Sequence, residues 1–415
     1  MIEALRKDEL IVIRGRGRVS ALGTVAAPAT ESPAVVSPFS THAMGLAVAA
    51  LPATAEAAVA DLRRSHPSYR QLDRTVLLAL LAARQATAAA GWQANDSENP
   101  KNEQQTTHHE TAVSIGSSRG ATGRLEQFHA EFLAEGLVPA AASPLTTLGN
   151  VASWVAFDAG TTEGAALSHS STCSSAFQAL GNAVAWLRAG MATRFLAGGT
   201  EAPLTDFTLA QMRALGIYSP FAAADWPCRP GTGRPSTFVL GEGAAVFALE
   251  KIGREKLLTE QQQETKRPVL VLEGVGLAFE AIASKTGLSP NGQHFQQAIR
   301  QALRQANLAP ADVDAVVLHS PGTPAGDAAE RAALRAVFGE TLPPLLSNKW
   351  LLGHTLGASA ALSLDFALHI LKTQQWPVAP FSTDLATAPA QPLRRILVNA
   401  AGFGGNAASV IVARL

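Results

Sequence analysis

Cys173, His319 and His354 are the side chains of this 415-residue chain whose types and settings best suit covalent chemistry. A run of small residues, SHSSTCSSA, carries Cys173 directly into the apolar segment FQALGNAVAWLRAG. A thiol at a helix start meets unpaired backbone N–H groups and the positive end of the dipole, both of which favour thiolate. The small neighbours would let a substrate come close; the plain alternative is a buried, inert cysteine. His319 closes the run AVVLH and opens the loop SPGTPAGD, at the kind of strand end where α/β proteins gather ligands. His354 stands at a glycine turn between SNKWLLG and TLGASAALSLDFAL. Taken singly, either histidine is as readily a satisfied structural residue. Lys349, close before His354, is by default a surface lysine, and Cys228, in the loop DWPCRPGTGRP, reads as structural. AGFGG, at Ala401–Gly405, is a tight turn or a device that aims a backbone N–H at a developing oxyanion. Gly402 and Gly404 would then let the chain approach the reacting atoms.

Other chemistries are poorly supported. No GxxxxGK[ST], CxxC or GxSxG is present, and Gly15-Arg16-Gly17 lacks the third glycine and the following acid of a dinucleotide site. Adjacent His108 and His109 match no metal spacing, so no metal is expected. Lys+Arg 33 against Asp+Glu 33 gives zero net charge, which argues against nucleic acid or an anionic membrane as partner. The uncharged stretch Ser32–Ala55 is broken by Pro, Ser, Thr and His, and the N-terminus carries charges where a signal peptide would be apolar. Two cysteines cannot form a disulfide scaffold. A soluble enzyme of a reducing, cytoplasmic compartment is the expectation.

The elements that must position these residues are legible as alternation. Strands are predicted at Ile11–Ile13, Ala112–Ile115, Arg194–Ala197, Phe238–Leu240, Val269–Leu272, Ala315–Leu318, Ile396–Val398 and Ser409–Val412. Helices are predicted at Arg74–Ala90, Ser174–Ala189, Gly292–Ala306 and Ala358–Lys372. At 47% hydrophobic and 16% charged residues the chain can bury a large core, and the alternation favours a layered α/β fold. Asn95–Glu110 reads as an exposed polar loop. The Gln-rich segment 255–267 divides a longer half, residues 1–254, from a shorter one, 268–415. The halves echo each other: IVIRGRGRV is matched by LVLEGVGLA, and FVLGEGAAVFALE by NAAGFGGNAASVIVARL, which suggests two copies of one unit.

With Cys173, His319 and His354 taken together, the chain resembles the elongating, Cys-His-His type of β-ketoacyl-[acyl-carrier-protein] synthases of the thiolase-like superfamily. The motifs that carry the likeness are TCSSA, FLAGGTEA, VLGEGAA, HSPGTPAGD, SNKWLLGHTLGA and NAAGFGG, in family order over nearly the whole chain. The resemblance implies two similar halves packed in five α-β-α-β-α layers. It implies that Cys173 takes an acyl group from a carrier-protein thioester and that the N–H groups of Cys173 and Phe403 form an oxyanion hole. His319 and His354 would assist decarboxylation of a malonyl thioester, with Lys349 supporting their electrostatics. Phe403 would gate the acyl tunnel, and Thr323 would contact the phosphopantetheine arm. That arm arrives with the acyl carrier protein, so no separate cofactor is implied. The partners would be the carrier protein and a second subunit, identical or related.

Departures from the family pattern narrow the reading. The closing turn holds Phe403 and no cysteine, unlike thiolases that use a second cysteine, and His354 stands where initiating synthases have Asn. Pro321 replaces a pantetheine-contacting Thr. Arg119 falls where elongating enzymes place a small or apolar residue of the acyl pocket, its alternative being a salt-bridged surface side chain. With the Ala/Pro-rich stretch between Gly23 and Asp73, these features tilt the expectation towards a specialised polyene or polyketide pathway. The competing reading is a chain-length-factor-like subunit that shapes a partner's tunnel.

Overall fold

The computed structural model describes residues 9–24, 36–92, 111–148, 150–161, 164–263, 268–282, 288–388 and 391–415. The predicted loop Asn95–Glu110, with His108 and His109, lies outside them. The first half contains β1 (Glu9–Ser20), α1 (Arg74–Ala90), β2 (Thr111–Gly116), α2 (Asn150–Asp158), β3 (Ala166–His169), α3 (Ser175–Ala189), β4 (Arg194–Glu201), α4 (Asp206–Ala214) and β5 (Gly243–Gly253). A helix, α5 (Arg254–Gln263), occupies most of the predicted connecting segment, whose residues 264–267 are not described. The second half contains β6 (Leu270–Phe279), α6 (Gln293–Ala306), β7 (Ala315–Val317), α7 (Pro324–Phe338), β8 (Leu345–Leu346), α8 (Ser359–Thr373), β9 (Arg395–Gly402) and β10 (Asn406–Arg414).

Strand order is the same in the two halves. The first half runs β1-β5-β4-β2-β3 and the second β6-β10-β9-β7-β8, and in each the middle strand pairs antiparallel on one side and parallel on the other. Antiparallel pairing of β1 with β6 joins them into one 11-stranded sheet, to which the short strand Gly23–Thr24 adds.

Alternation along each strand sorts side chains between layers. Phe195 and Phe247 from the first half, and Ile396 and Val410 from the second, face a shared middle layer made by α3 and α8. Leu196 and Val246 point outward onto α1 and α2, while Leu397 and Ile411 point outward onto α6 and α7. The result is the five-layered α-β-α-β-α arrangement of the thiolase-like fold. Because both sheet faces are covered, β5 reads as an unbroken apolar run, and Ala244 through Leu249 are all fully buried.

The repeated Gly-x-Gly now has a mechanical cause. A Cβ at Gly15 or Gly17 would fall 2.1 Å from Ala86 O or 1.9 Å from Ala82 O of α1. Gly274 and Gly276 meet Ala302 O and Ala298 O of α6 in the same way, at 2.3 and 1.9 Å. In each half these glycines follow a β-bulge and let an Ala-rich helix lie directly on the strand. Helix α1 starts where Asp73 accepts the Thr75 N–H at 2.7 Å and stops at Gly91, which has φ +68°.

Candidate active site

Cys173 follows Thr172, whose φ of +52° is unusual for a β-branched residue, and precedes α3. The turn is pressed close to its surroundings: Gly116 lies against the Ser175 backbone, and a Cβ on Gly402 would fall 1.7 Å from Thr172 Oγ1. The Thr172 hydroxyl donates to Phe403 O at 3.4 Å. The closing glycine turn of the second half is thereby seated on the residue before Cys173. Burial pushes the Cys173 thiol up to about 12, and the Glu201 charge adds to that. Lys349, the Cys173 backbone N–H and Arg119 oppose it incompletely. A resting thiolate at the helix start, expected from the sequence, is therefore not what the site provides, because desolvation outweighs the nearby positive charges and the backbone N–H.

His354 is locked by the glycine turn VLGEG. Its N–H donates to Val239 O at 2.7 Å, and its carbonyl accepts from Gly241 N at 3.1 Å. Its Nδ1 accepts the Leu356 N–H at 3.0 Å, so the ring proton sits on Nε2. Burial, and then the charge of Lys349, holds His354 down at about 3, so the ring is neutral across the physiological range. His319, at the end of β7, is also held well below its ordinary value, by burial, then His354, Lys349 and His294. The two rings meet edge to face, with centroids 5.2 Å apart at 84°.

Two buried carboxylates that the sequence reading missed hold the flanking loops. Glu330 accepts from His319 N at 2.9 Å, Ser320 N at 2.8 Å, Ser320 Oγ at 2.9 Å and Asn399 Nδ2 at 3.1 Å. Glu201 accepts from Ser118 N, Ser117 Oγ, Arg119 N and Gly357 N. Their only sequence signal is an acid set among small, apolar neighbours, as in FLAGGTEA and GDAAERAAL. Lys349 is no surface lysine. It is 2% exposed and donates to Asn348 Oδ1 at 3.1 Å and Ser363 Oγ at 2.9 Å, and burial lowers it to about 8.

Cys173, His319 and His354 converge on one mainly apolar cavity of about 220 Å³, together with Thr323, Gly402 and Phe403. Pro321, Met212, Phe238 and Phe295 complete much of its wall. Gly404, with φ +85°, turns the chain beyond Phe403 and does not line it. Arg119 does not line it either: its guanidinium donates to Thr208 Oγ1 at 3.0 Å and Gln211 Oε1 at 2.6 Å on α4. The expectation that a cation at Arg119 would face the substrate is not met within this chain, because two α4 side chains hold it. A larger cavity, about 500 Å³, is lined by Asp73, Arg74 and Glu242 and is not lined by Cys173, His319 or His354; its Arg74–Glu242 ion pair is closed at 2.6 Å. Among the described residues, no helix is long and apolar enough to cross a membrane.

A buried thiol at a helix start and two neutral imidazoles are thus brought to one cavity from the two halves of a thiolase-like fold. The chain matches the family described as Beta-ketoacyl synthase, N-terminal domain, over residues 46–253 and its C-terminal domain over residues 269–380. It belongs to the β-ketoacyl synthase family, enzymes that transfer an acyl group and form a carbon–carbon bond. It is 29% identical to Nodulation protein E of Rhizobium leguminosarum bv. trifolii, over 86% of this chain and 85% of that one. It is 28% identical to 3-oxoacyl-[acyl-carrier-protein] synthase 2 of Staphylococcus aureus (strain N315), over 82% of each. Among solved structures it is similar to the ishigamide ketosynthase/chain length factor at TM-score 0.81 and 21% identity, covering 98% of this chain and 99% of that one.

Proposed function

We propose that Cys173 is the acyl acceptor and that His319 and His354 drive decarboxylation of a malonyl thioester. The observation that carries this reading is the convergence of the thiol and two neutral imidazoles on one apolar cavity. Cys173 Sγ attacks the donor thioester carbonyl, its proton leaves with the departing pantetheine thiol, and an acyl-cysteine remains. The N–H groups of Cys173 and Phe403 receive the oxyanion, and such a donor is worth roughly 10²–10³-fold in rate. The malonyl thioester then loses CO₂, and its C–C bond electrons pass into an enolate. The Nε2–H of His354, with His319 beside it, donates to the enolate oxygen. A neutral donor suits this step, since it stabilises developing charge without giving up its proton. The enolate carbon attacks the acyl carbonyl, the C–S bond breaks, and a 3-oxoacyl thioester departs.

Thr323 and Gly402 would border the phosphopantetheine arm, which arrives on an acyl carrier protein and makes any further cofactor unnecessary. A carrier-protein substrate is supported by the name of the Staphylococcus relative. A second subunit, identical or related, is supported by the ketosynthase/chain length factor likeness. A cytoplasmic setting accords with two unpaired, buried cysteines. For the pathway we favour specialised polyene or polyketide-type synthesis, supported by Pro321 in the cavity wall and by 30% identity, over 82% of each chain, to a Streptomyces cyaneus protein named Putative polyketide beta-ketoacyl synthase 1. A purely chain-length-factor-like role is disfavoured by the presence of Cys173 in the cavity.

Intact-mass analysis with saturated, polyenoyl and aryl-acyl carrier proteins, followed by malonyl carrier, tests the proposal. The expected result is an adduct on Cys173, absent from Cys173→Ala, that malonyl carrier discharges. Equal labelling from saturated and unsaturated donors would remove the specialised reading. No labelling from any donor, with the related subunit present or absent, would remove the nucleophile assignment.

A further inference from the structure

Leu356 has φ +43°, in the left-handed region that a branched side chain rarely occupies. The bond from its N–H to His354 Nδ1 is made from this conformation. Something must hold the turn there, and the next residue shows what does. The Gly357 N–H donates to Glu201 Oε2 at 2.9 Å, and the same oxygen accepts the Ser118 N–H at 2.6 Å. The other oxygen, Oε1, accepts from Ser117 Oγ at 3.0 Å and Arg119 N at 3.1 Å. Glu201 is fully buried at the end of β4, and a Cβ on Gly357 would fall 2.5 Å from its Oε2. The carboxylate is thus built into the join between the loop after β2 and the turn that opens α8.

We infer that Glu201 is a positioning residue for His354: by fixing Gly357 it keeps the Leu356 N–H on Nδ1, and so keeps the imidazole proton on Nε2, facing the substrate. This inference rests on the proposed role of His354 as an enolate donor and adds what sets its tautomer. Four donors point at the carboxylate, two to each oxygen. An amide in its place would turn N–H groups towards two of those donors, leaving the join half made. With the turn released, the Leu356 N–H no longer occupies Nδ1, the proton can move there, and Nε2 loses the donor.

The test uses the full chain labelled with ¹⁵N-histidine, with the His354 signals assigned by their loss in His354→Gln. The wild type is expected to show a single Nε2–H tautomer, and Glu201→Gln and Glu201→Ala a population protonated on Nδ1. Decarboxylation of malonyl carrier should fall by about 10²-fold in the variants, as for other small misplacements of a reacting group. Acylation of Cys173, read by intact mass, should not fall, since removing the Glu201 charge can only ease ionisation of the thiol. If Glu201→Ala does not fold, the isosteric Glu201→Gln carries the test. A folded Glu201→Gln with an unchanged tautomer, or one that loses acylation and decarboxylation in equal measure, would overturn the inference. Failure of wild-type Cys173 to take an acyl group would instead strike the underlying reaction scheme, whatever the tautomer.

Discussion

The two halves of this molecule share an order of elements but not a chemistry. In the first, the middle-layer helix α3 begins just after Cys173; in the second, its counterpart α8 begins just after His354. Each half pins the loop after its second strand with a buried carboxylate that takes two successive backbone N–H groups and a serine hydroxyl. Glu201 does this for residues 117–119, and Glu330 for His319 and Ser320. The fields differ where the scaffolds agree. The thiol is raised by burial with help from an anion, Glu201, whereas the imidazoles are lowered by burial with help from a cation, Lys349. Both centres are therefore neutral at rest, one as a thiol and the other as free imidazole. The two like halves thus bring a thiol, from the start of α3, and two imidazoles, from the end of β7 and from just before α8, to one cavity.

The largest effects should come from breaking that division of labour. His319→Ala or His354→Ala is expected to lower condensation by about 10²–10³-fold while Cys173 still takes its acyl group. Cys173→Ala should do the reverse, abolishing the acyl adduct and leaving malonyl decarboxylation. Adduct mass and CO₂ release, measured on the same preparations, separate the two. A His354→Ala protein that failed to acylate, although folded, would show that the halves do not act separately.

Much of this comparison was readable in the sequence. The span predicted for α1, Arg74–Ala90, agrees with the structure because Asp73 and Gly91 mark its ends with local chemistry. The duplicated Gly-x-Gly was visible as an echo, though its reason, a helix backbone laid on a strand, needed coordinates. Strand β3 was not foreseen: ALSH is short, partly exposed and free of β-branched residues, and it pairs with β2 alone. The stretch SPGTPAGD, expected as loop, instead runs into helix α7 from Pro324, whose place at the first helical position is itself a helix-start signal. The strand expected at Phe238–Leu240 begins only at Leu240, since Phe238 and Val239 instead bond Ser219 and His354. Cys173, His319 and His354 stood out by residue type. Glu201 and Glu330 did not, because satisfying buried N–H groups is work that leaves little trace in a motif.

Lys349 offers a second, smaller way to sharpen the contrast. A buried ammonium that, among the described residues, bonds only Asn348 and Ser363 is destabilising, and its lowered value of about 8 records that. Below pH 8 it is charged in both folded and unfolded chains, and its burial opposes folding in full. Between 8 and the ordinary lysine value near 10.5 the unfolded chain holds more protons, so stability rises with pH. Lys349→Met should therefore be more stable at pH 7, on the order of 1 kcal/mol or more, with the gain shrinking above pH 8. The same variant should condense more slowly and titrate His354 at a higher pH. Denaturant melts at several pH values and the His354 NMR titration check both; a Lys349→Met chain no more stable at pH 7 would mean that the charge is better solvated than its burial suggests.

The smallest expected effect sets the two halves against each other in acid. His354 is held at about 3 against an ordinary 6.5, so between these values the unfolded chain binds a proton that the folded chain refuses, and stability falls as pH falls. Glu201 works the other way. Burial raises it to about 7 from 4.5, so across that window the folded chain binds the extra proton and stability rises as pH falls. Around pH 5–6 the contributions partly cancel, and below about 4.5 the histidine alone of the two continues to act. His354→Gln, which removes the titration but keeps a polar side chain, should flatten the loss of stability between pH 6.5 and 4, measured by urea denaturation. Glu201→Gln should steepen it over pH 7 to 4.5, because the opposing proton uptake is gone. If both variants kept the wild-type slope, neither buried group would be titrating as its surroundings require. The opposed fields of the two halves would then have no thermodynamic consequence.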